Sequence, residues 1–203
     1  MPLEDSSSRP HLVVGITGAS GSIYAVRFLR AVGPLCERVH VIFSENALTV
    51  HATELGEALK KPYSAEQYLG RPIDSIRFLS VRDFFTPPAS GSYRHDGMVI
   101  IPCSMGTIGR IASGVSDDLI TRAADVCLKE RRKLILVPRE TPLNLIHLRN
   151  LTSLTEAGAT ILPANPSFYN SPATIDDLVD TVVARILQNL GLPQDIVGQW
   201  QAE

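Results

Sequence analysis

The run L-V-V-G-I-T-G-A-S-G-S, Leu12 to Ser22, decides the fold of this 203-residue chain. Its apolar, β-branched half has the composition of a buried strand. Gly18 breaks the run into a turn of small residues that opens an amphipathic segment, Ile23 to Val32. Strand, tight turn and helix in that order aim backbone N–H groups and a helix N-terminus at one spot, which favours an anion such as phosphate. Gly15, Gly18 and Gly21 are spaced G-x-x-G-x-x-G, matching neither the dinucleotide fingerprint G-x-G-x-x-G nor a P-loop. Two possibilities therefore stand: a phosphate cradle at Gly18–Gly21, or small residues that let the first helix pack closely on the sheet. Ser20 offers its hydroxyl either to the helix cap or to a ligand.

Working outward, strand and helix patterns alternate. V-H-V-I-F (Val39 to Phe43) is a second strand, Asn46 to Leu59 is helical in pattern, residues 60–74 are irregular, and Ser75 to Ser80 is a short strand. Phe84 to Asp96 is a long, turn-rich loop of the kind that often carries function. M-V-I-I-P-C (Met98 to Cys103) is a buried strand; C-S-M-G-T (Cys103 to Thr107) is a second small-residue turn, and a helix continues to about Ala112. Asp117 or Asp118 caps a helix to about Arg131, and Lys133 to Pro138 is a fifth strand. A loop to Asn144, a helix to about Ala157 and a strand near Ala159 to Leu162 follow. After a Pro-rich loop, Pro163 to Pro172, the last helix starts near Ile175, capped by Thr174 with Asp177 three residues on, and ends at Gly191 and Pro193. This alternation predicts one three-layer αβα domain, Rossmann-like or flavodoxin-like, with a mostly parallel sheet over residues 11–203 and a flexible tail at 1–10.

A net charge of −2 gives no electrostatic reason to expect nucleic acid or an anionic membrane. No apolar run reaches the ~18 residues of a membrane span, and M-P-L-E-D-S-S-S-R-P lacks a signal peptide's hydrophobic core, so a cytoplasmic protein is expected. Cys36, Cys103 and Cys127 are scattered singly, and His11, His40, His51, His95 and His147 show no ligand spacing, so no metal is expected.

In open α/β sheets ligands bind at the carboxyl ends of the strands. The expected lining is Gly18–Ser22, Ser44, Cys103–Thr107 and Arg139–Glu140. Its hydroxyls and single guanidinium suit a phosphorylated, hydroxylated ligand. A short-chain dehydrogenase also opens with T-G-A-S-G, and Glu45 stands where a ribose-binding acid would. Against it, Tyr24 replaces the third glycine and the chain holds no Y-x-x-x-K pair.

T-G-A-S-G (Thr17–Gly21), P-P-A-S-G-S (Pro87–Ser92), P-C-S-M-G-T (Pro102–Thr107), R-A-A-D-V-C-L-K-E (Arg122–Glu130) and P-R-E-T-P-L (Pro138–Leu143) together closely resemble the flavin prenyltransferases of the UbiX type, from about residue 12 to Trp200. The P-x-M-N-x-x-M-W signature of the related flavin-dependent cysteine decarboxylases is absent. The resemblance implies an enzyme that attaches a dimethylallyl group, from its monophosphate, to N5 and then C6 of reduced flavin mononucleotide (FMN). The prenylated product would serve a partner decarboxylase of the UbiD type. It also implies a homo-oligomer, a dodecamer of trimers being one form, with pockets at subunit contacts. Direct decarboxylation of an aromatic acid and a non-catalytic flavin carrier are the alternatives.

Carried over by position, Gly18, Ala19, Ser20, Ser44, Ser104, Met105, Gly106, Thr107 and Arg139 would hold the flavin nucleotide. Its phosphate would lie at the later turn and Ser20 near N5. Tyr169 and Arg185, with Lys129 and Arg122, would hold the dimethylallyl phosphate. Glu140 would manage protons and Glu54 is a further pocket acid. Fixed cations and hydroxyls stabilise the charge that develops on a departing phosphate, which makes a metal unnecessary in principle. Aromatic faces at Phe84 and Phe85 suit a developing allyl cation. Phe84 stands where tryptophan is expected, Glu45 where a base is, and Met105 where a hydroxyl is. Plainer roles exist: an ion-pair stripe of Arg122, Asp125 and Lys129 on one helical face, pairing of Arg139 and Glu140 with each other's neighbours at the strand end, core or interface aromatics at Tyr169 and Trp200, an exposed charge at Arg185, and buried thiols at Cys103 and Cys127.

Overall fold

The computed structural model describes residues 9–56 and 58–198. Trp200 and the expected tail, apart from Arg9 and Pro10, lie outside the described residues. Pro10 is already fixed, its carbonyl accepting from Glu37 N–H at 3.0 Å.

The strands are β1 (His11–Ile16), β2 (Arg38–Phe43), β3 (Ile76–Leu79), β4 (Gly97–Cys103), β5 (Leu134–Pro138) and β6 (Thr160–Ile161). The helices are α1 (Ser22–Val32), α2 (Glu45–Leu55), α3 (Ala65–Leu69), α4 (Met105–Ala112), α5 (Leu119–Lys129), α6 (Leu145–Glu156) and α7 (Ile175–Leu190). The strands form one six-stranded sheet in the order β3-β2-β1-β4-β5-β6. Every pairing in it is parallel, so the expected mostly parallel sheet is wholly so among the described residues. Central strands of such a sheet are covered on both faces and must be apolar throughout. G-M-V-I-I-P-C in β4 is buried at every position.

Alternate strand residues feed two cores. Val14, Val41, Val99 and Val137 meet Phe28 and Leu29 of α1, Val183 and Ile186 of α7, and Tyr68 of α3. Val13, Ile42, Met98, Ile100 and Leu136 meet Ile108 of α4, Ile120 and Ala123 of α5, and Leu154 of α6. Helices α1 and α7 therefore cover one face of the sheet, and α4, α5 and α6 the other. Arg27 of α1 ties the first pair together, its Nε donating at 2.8 Å to the buried carboxylate of Asp180 on α7.

Two elements differ from expectation. Ser64 caps the short α3 inside the stretch read as irregular, accepting from Gln67 N–H at 3.2 Å. Five residues are too few for a 3.6-residue period to register. Helix α2 stops at Leu55 instead of Leu59, because Gly56 takes a left-handed φ of 75° and its N–H closes the last turn on Ala52. The long loop of residues 84–96 is the crossover from β3 to β4, and it lies alongside α5.

Candidate active site

The strand order reverses between β1 and β4, and at this switch point two turns leave the sheet side by side. The first holds Gly18, Ala19, Ser20 and Gly21. Each of the three spaced glycines there answers a separate constraint. A Cβ on Gly15 would sit 3.0 Å from Ile120 of α5, and one on Gly18 only 2.6 Å from Cβ of Asn46 at the start of α2. Gly21 adopts φ +110°, which a side chain would strain. The close packing thus engages α5 at Gly15, α2 at Gly18 and Tyr24 of α1, 2.8 Å from a Cβ on Gly21.

Gly21 leaves the N-terminus of α1 without a side-chain cap of its own. Glu54 supplies one from the end of α2. Its carboxylate accepts from Gly21 N–H at 3.0 Å through either oxygen and from Ser22 N–H at 2.7 Å. The anion on the Gly21 and Ser22 N–H groups is thus a carboxylate of the chain itself. Partial burial pushes the Glu54 carboxyl upward, but hydrogen bonds from the Ser20 hydroxyl and the Ser22 and Gly21 N–H groups outweigh it and hold the pKa below its ordinary 4.5. At neutral pH Glu54 is a charged acceptor with the exposed Ser20 hydroxyl turned to it. Arg139, just past β5, donates from Nε to the Ser20 carbonyl at 3.0 Å.

The second turn opens α4. Ser104 is its N-cap, accepting from Thr107 N–H at 3.3 Å and lying 3.0 Å from the Thr107 hydroxyl. Met105 and Thr107 are buried, and a Cβ on Gly106 would meet nothing within 4 Å. Space is open beside Gly106 at this helix N-terminus. Ser44 caps α2 in the same manner, accepting from Ala47 N–H at 3.2 Å. Glu140 is exposed, its Oε1 accepting from Thr141 N–H at 3.1 Å. The ends of β1, β2, β4 and β5 thereby gather Gly18, Ala19, Ser20, Ser44, Glu54, the 104–107 turn, Arg139 and Glu140. Glu140 thus pairs with its neighbour Thr141, as its plainer role had it, whereas Arg139 reaches across to the first turn.

The remaining candidates stand apart. Tyr169 and Arg185 line a cavity of about 930 Å³ beside α7, with Asn165, Thr181 and Gln194. Arg185 donates to Gln188 Oε1 at 2.6 Å. Arg122 and Lys129 ride on α5, across the sheet. Arg122 Nε donates to the Ala89 carbonyl at 3.0 Å and Nη1 to Asp125 at 2.7 Å. Lys129 pairs with Glu130, not with Asp125. Lys129 also ends α5 near the amino ends of the strands, because Lys133, just beyond it, accepts from Met98 N–H at the start of β4. One chain therefore does not bring the expected phosphate quartet together. Phe84 is 41% exposed and Phe85 fully so.

Sequence reasoning missed two residues. Arg132 donates to the carbonyls of Gly91 (2.6 Å) and Tyr93 (2.7 Å), clamping the crossover loop against α5. Thr17 is buried between the two turns, its hydroxyl accepting from Ser104 N–H at 2.8 Å. Thr17 lies within the T-G-A-S-G run, so its position was visible although its partner was not. Burial pushes the Cys127 thiol to about 12 and Cys103 higher still, which leaves both inert at neutral pH. Among the described residues no group of three or more His, Cys, Asp or Glu could hold a metal ion.

The chain resembles known proteins in both sequence and structure. Residues 1–187 match the model of a family described as flavoprotein. The chain is 46% identical over 199 residues to the flavin prenyltransferase UbiX of Pseudomonas aeruginosa, covering 96% of this chain and 95% of that one. Its structure is similar to that of AnUbiX (PadA1) in complex with FMN and dimethylallyl pyrophosphate, with TM-score 0.83 and 39% identity over 96% of this chain and 99% of the other. It is likewise similar to a dodecameric FMN-dependent UbiX-like decarboxylase from Escherichia coli O157:H7, with TM-score 0.83 and 42% identity over 95% and 100% of the two chains.

Proposed function

Because this chain belongs to the flavoprotein family and, within it, to the flavin prenyltransferases of the UbiX type, we propose that it moves a dimethylallyl group from dimethylallyl monophosphate to N5 and C6 of reduced FMN. Prenylated FMN then passes to a UbiD-type decarboxylase, and the work is done in the cytoplasm; among the described residues no helix is long and apolar enough to cross a membrane. Residues 11–203 act as one flavin-binding domain.

The observation that carries the assignment is the pair of turns at the switch point, one capped by the Glu54 carboxylate and the other by the neutral Ser104 hydroxyl with open space beside Gly106. The open turn, Ser104, Met105, Gly106 and Thr107, fits a phosphate monoester, and Arg139 adds a guanidinium on the same edge. Gly18, Ala19, Ser20 and Ser44 line the path from there to the reactive end. Bound FMN, when reduced, supplies the nucleophilic nitrogen and carbon. Ser20 presents a hydroxyl whose proton is aimed at the ionised Glu54, so the pair can receive a proton released at the ring. Glu140 is a second acceptor on the same edge.

Tyr169 and Arg185 hold the dimethylallyl phosphate, and Arg122 and Lys129 complete the cation set from another copy. Arg122 and Lys129 sit on α5 and Arg185 on α7, on opposite faces of one sheet, so a contact between copies is the way they meet. This supports a homo-oligomer with pockets at its contacts. Fixed guanidinium, ammonium and hydroxyl groups stabilise the departing phosphate, so the transfer proceeds without metal. Phe84 offers its face to the developing allyl cation.

The test is direct. Purified protein given reduced FMN and dimethylallyl monophosphate, with a chelator present, yields a flavin heavier by one isoprenyl unit in a mass spectrum. Absence of that product sinks the assignment. Carbon dioxide release from an aromatic acid by the protein alone would instead favour decarboxylation, the activity named for the E. coli structural neighbour.

A further inference from the structure

We propose that Thr17 is a positioning residue for the transfer: its buried hydroxyl joins the phosphate-holding turn at Ser104 to the reactive turn at Ser20 and thereby sets the span across which the flavin is held. This rests on the flavin site described above. Thr17 is 2% exposed and immediately precedes Gly18, so its backbone carries the first turn. Its Oγ1 donates to the Pro102 carbonyl at 2.8 Å and accepts from Ser104 N–H at 2.8 Å. Its own N–H donates to the same Pro102 carbonyl at 3.2 Å.

The location explains why a side chain is needed. The β1–β4 ladder runs as far as Gly15 opposite Ile100, and on the other side of β4 the register shifts between Ile100 and Cys103. Past that ladder a single backbone bond, Thr17 N–H to the Pro102 carbonyl, still joins the two chains before they enter their separate turns. The Thr17 hydroxyl reinforces that junction and extends it to the Ser104 N–H, being both donor and acceptor at once, which a methyl or a carboxylate cannot be. Ser104, whose N–H it holds, is the residue that in turn orders Thr107 and the open end of α4. A small change at Thr17 therefore shifts one turn against the other, and misplacement by about 1 Å at a reacting centre costs up to about a hundredfold in rate. Thr17 touches nothing in the cavity of Tyr169 and Arg185, so it should not affect the prenyl donor.

Thr17→Val keeps the shape and removes both hydrogen bonds; Thr17→Ser keeps the hydroxyl. FMN affinity is measured by flavin fluorescence, and kcat and KM for dimethylallyl monophosphate by product mass, at a temperature where melting curves show each protein folded. Expected for Thr17→Val are a loss of FMN affinity on the order of tenfold, a fall in kcat of at least that size, an unchanged donor KM and an altered visible spectrum of the bound flavin. Thr17→Ser restores most of each. If Thr17→Val does not fold, Thr17→Cys replaces it, and affinity must then rank Thr, Ser, Cys in order of hydrogen-bonding strength. Wild-type kcat and FMN affinity in folded Thr17→Val, or equal impairment in Thr17→Ser, overturn the proposal and leave the flavin assignment standing. Failure of the unaltered protein to bind FMN overturns both.

Discussion

Replacing Glu54 by Gln separates structure from chemistry at the first turn. The carboxylate serves as a cap for α1 delivered from α2, receiving the Gly21 and Ser22 N–H groups at 2.7–3.0 Å. Gln offers one acceptor oxygen and turns an NH₂ towards a donor. Loss of a cap costs ~1 kcal/mol, within ~0.5–2. For a chain of this length the melting temperature should therefore fall by roughly 2–8 °C. Against a total stability of ~5–15 kcal/mol, nearly every molecule remains folded at 25 °C. Any fall in prenylation beyond a few per cent is then a loss of chemistry, and at least tenfold is expected because Ser20 loses its charged acceptor. The pH dependence has a definite sign. The folded pKa lies below its ordinary 4.5, so the stabilisation is complete above that value and disappears as pH falls through the folded pKa. The deficit of Glu54→Gln should therefore close in acid. Calorimetry across pH, with turnover measured by mass, tests both halves. An unchanged melting temperature would show that the carboxylate is not the anion of the turn. Full activity in the folded variant would reduce Glu54 to a cap.

Arg27→Met strands the buried Asp180 carboxylate, which should cost ~3–5 kcal/mol and lower the melting temperature by about 10 °C; Arg27→Met with Asp180→Leu should recover most of it. Burial, with Arg38, His11, His95 and Arg77 nearby, pushes His40 down to about 4 from 6.5, so stability is full above pH 6.5 and declines towards pH 4. At pH 5 the loss attributable to His40 is at most about 2 kcal/mol, and melting of His40→Gln should show a correspondingly shallower slope. In Gly91→Ala the new methyl collides with the mobile heads of Lys129 and Glu130 rather than with backbone. Stability should change by less than ~1 kcal/mol while KM for dimethylallyl monophosphate rises; an unchanged KM would remove Lys129 from the donor site.

The elements that carry strong local signals were legible. The runs of β1, β4 and β5 are apolar because a parallel sheet buries both faces, and the Thr174–Asp177 capping box stands where S/T-x-x-D/E spacing put it. Strand ends follow from such a topology, which is why Ser20, Ser44, Ser104 and Arg139 could be named before any coordinates. Contacts made at long sequence separation were not legible. Glu54 reaches Gly21 over 33 positions, and Arg132 reaches Gly91 over 41. No spacing rule encodes either, since both depend on how α2 and α5 dock. The split of the cation set between two faces was equally hidden, because Arg122 and Arg185 look alike in sequence and differ only in which core their helices serve.

The two turns at the switch point are of one kind: each follows a central strand, opens a helix and is built of small residues. Symmetry of that sort would leave a phosphorylated ligand two ways to lie. Glu54 breaks it. With a carboxylate already on the N–H groups of Gly21 and Ser22, a phosphate there would meet like charge at hydrogen-bond distance, a repulsion large at any reasonable effective dielectric. Among the described residues the Ser104 turn is capped by a neutral hydroxyl and not by a carboxylate, and the space beside Gly106 is open. On the proposed reading the phosphate goes to α4 and the other end of the flavin to Ser20, the hydroxyl of the first turn. In the proposed site one acid on α2 would thus set the polarity of binding, the carboxylate that occupies the Gly21 and Ser22 N–H groups being also the acceptor proposed for the chemistry there.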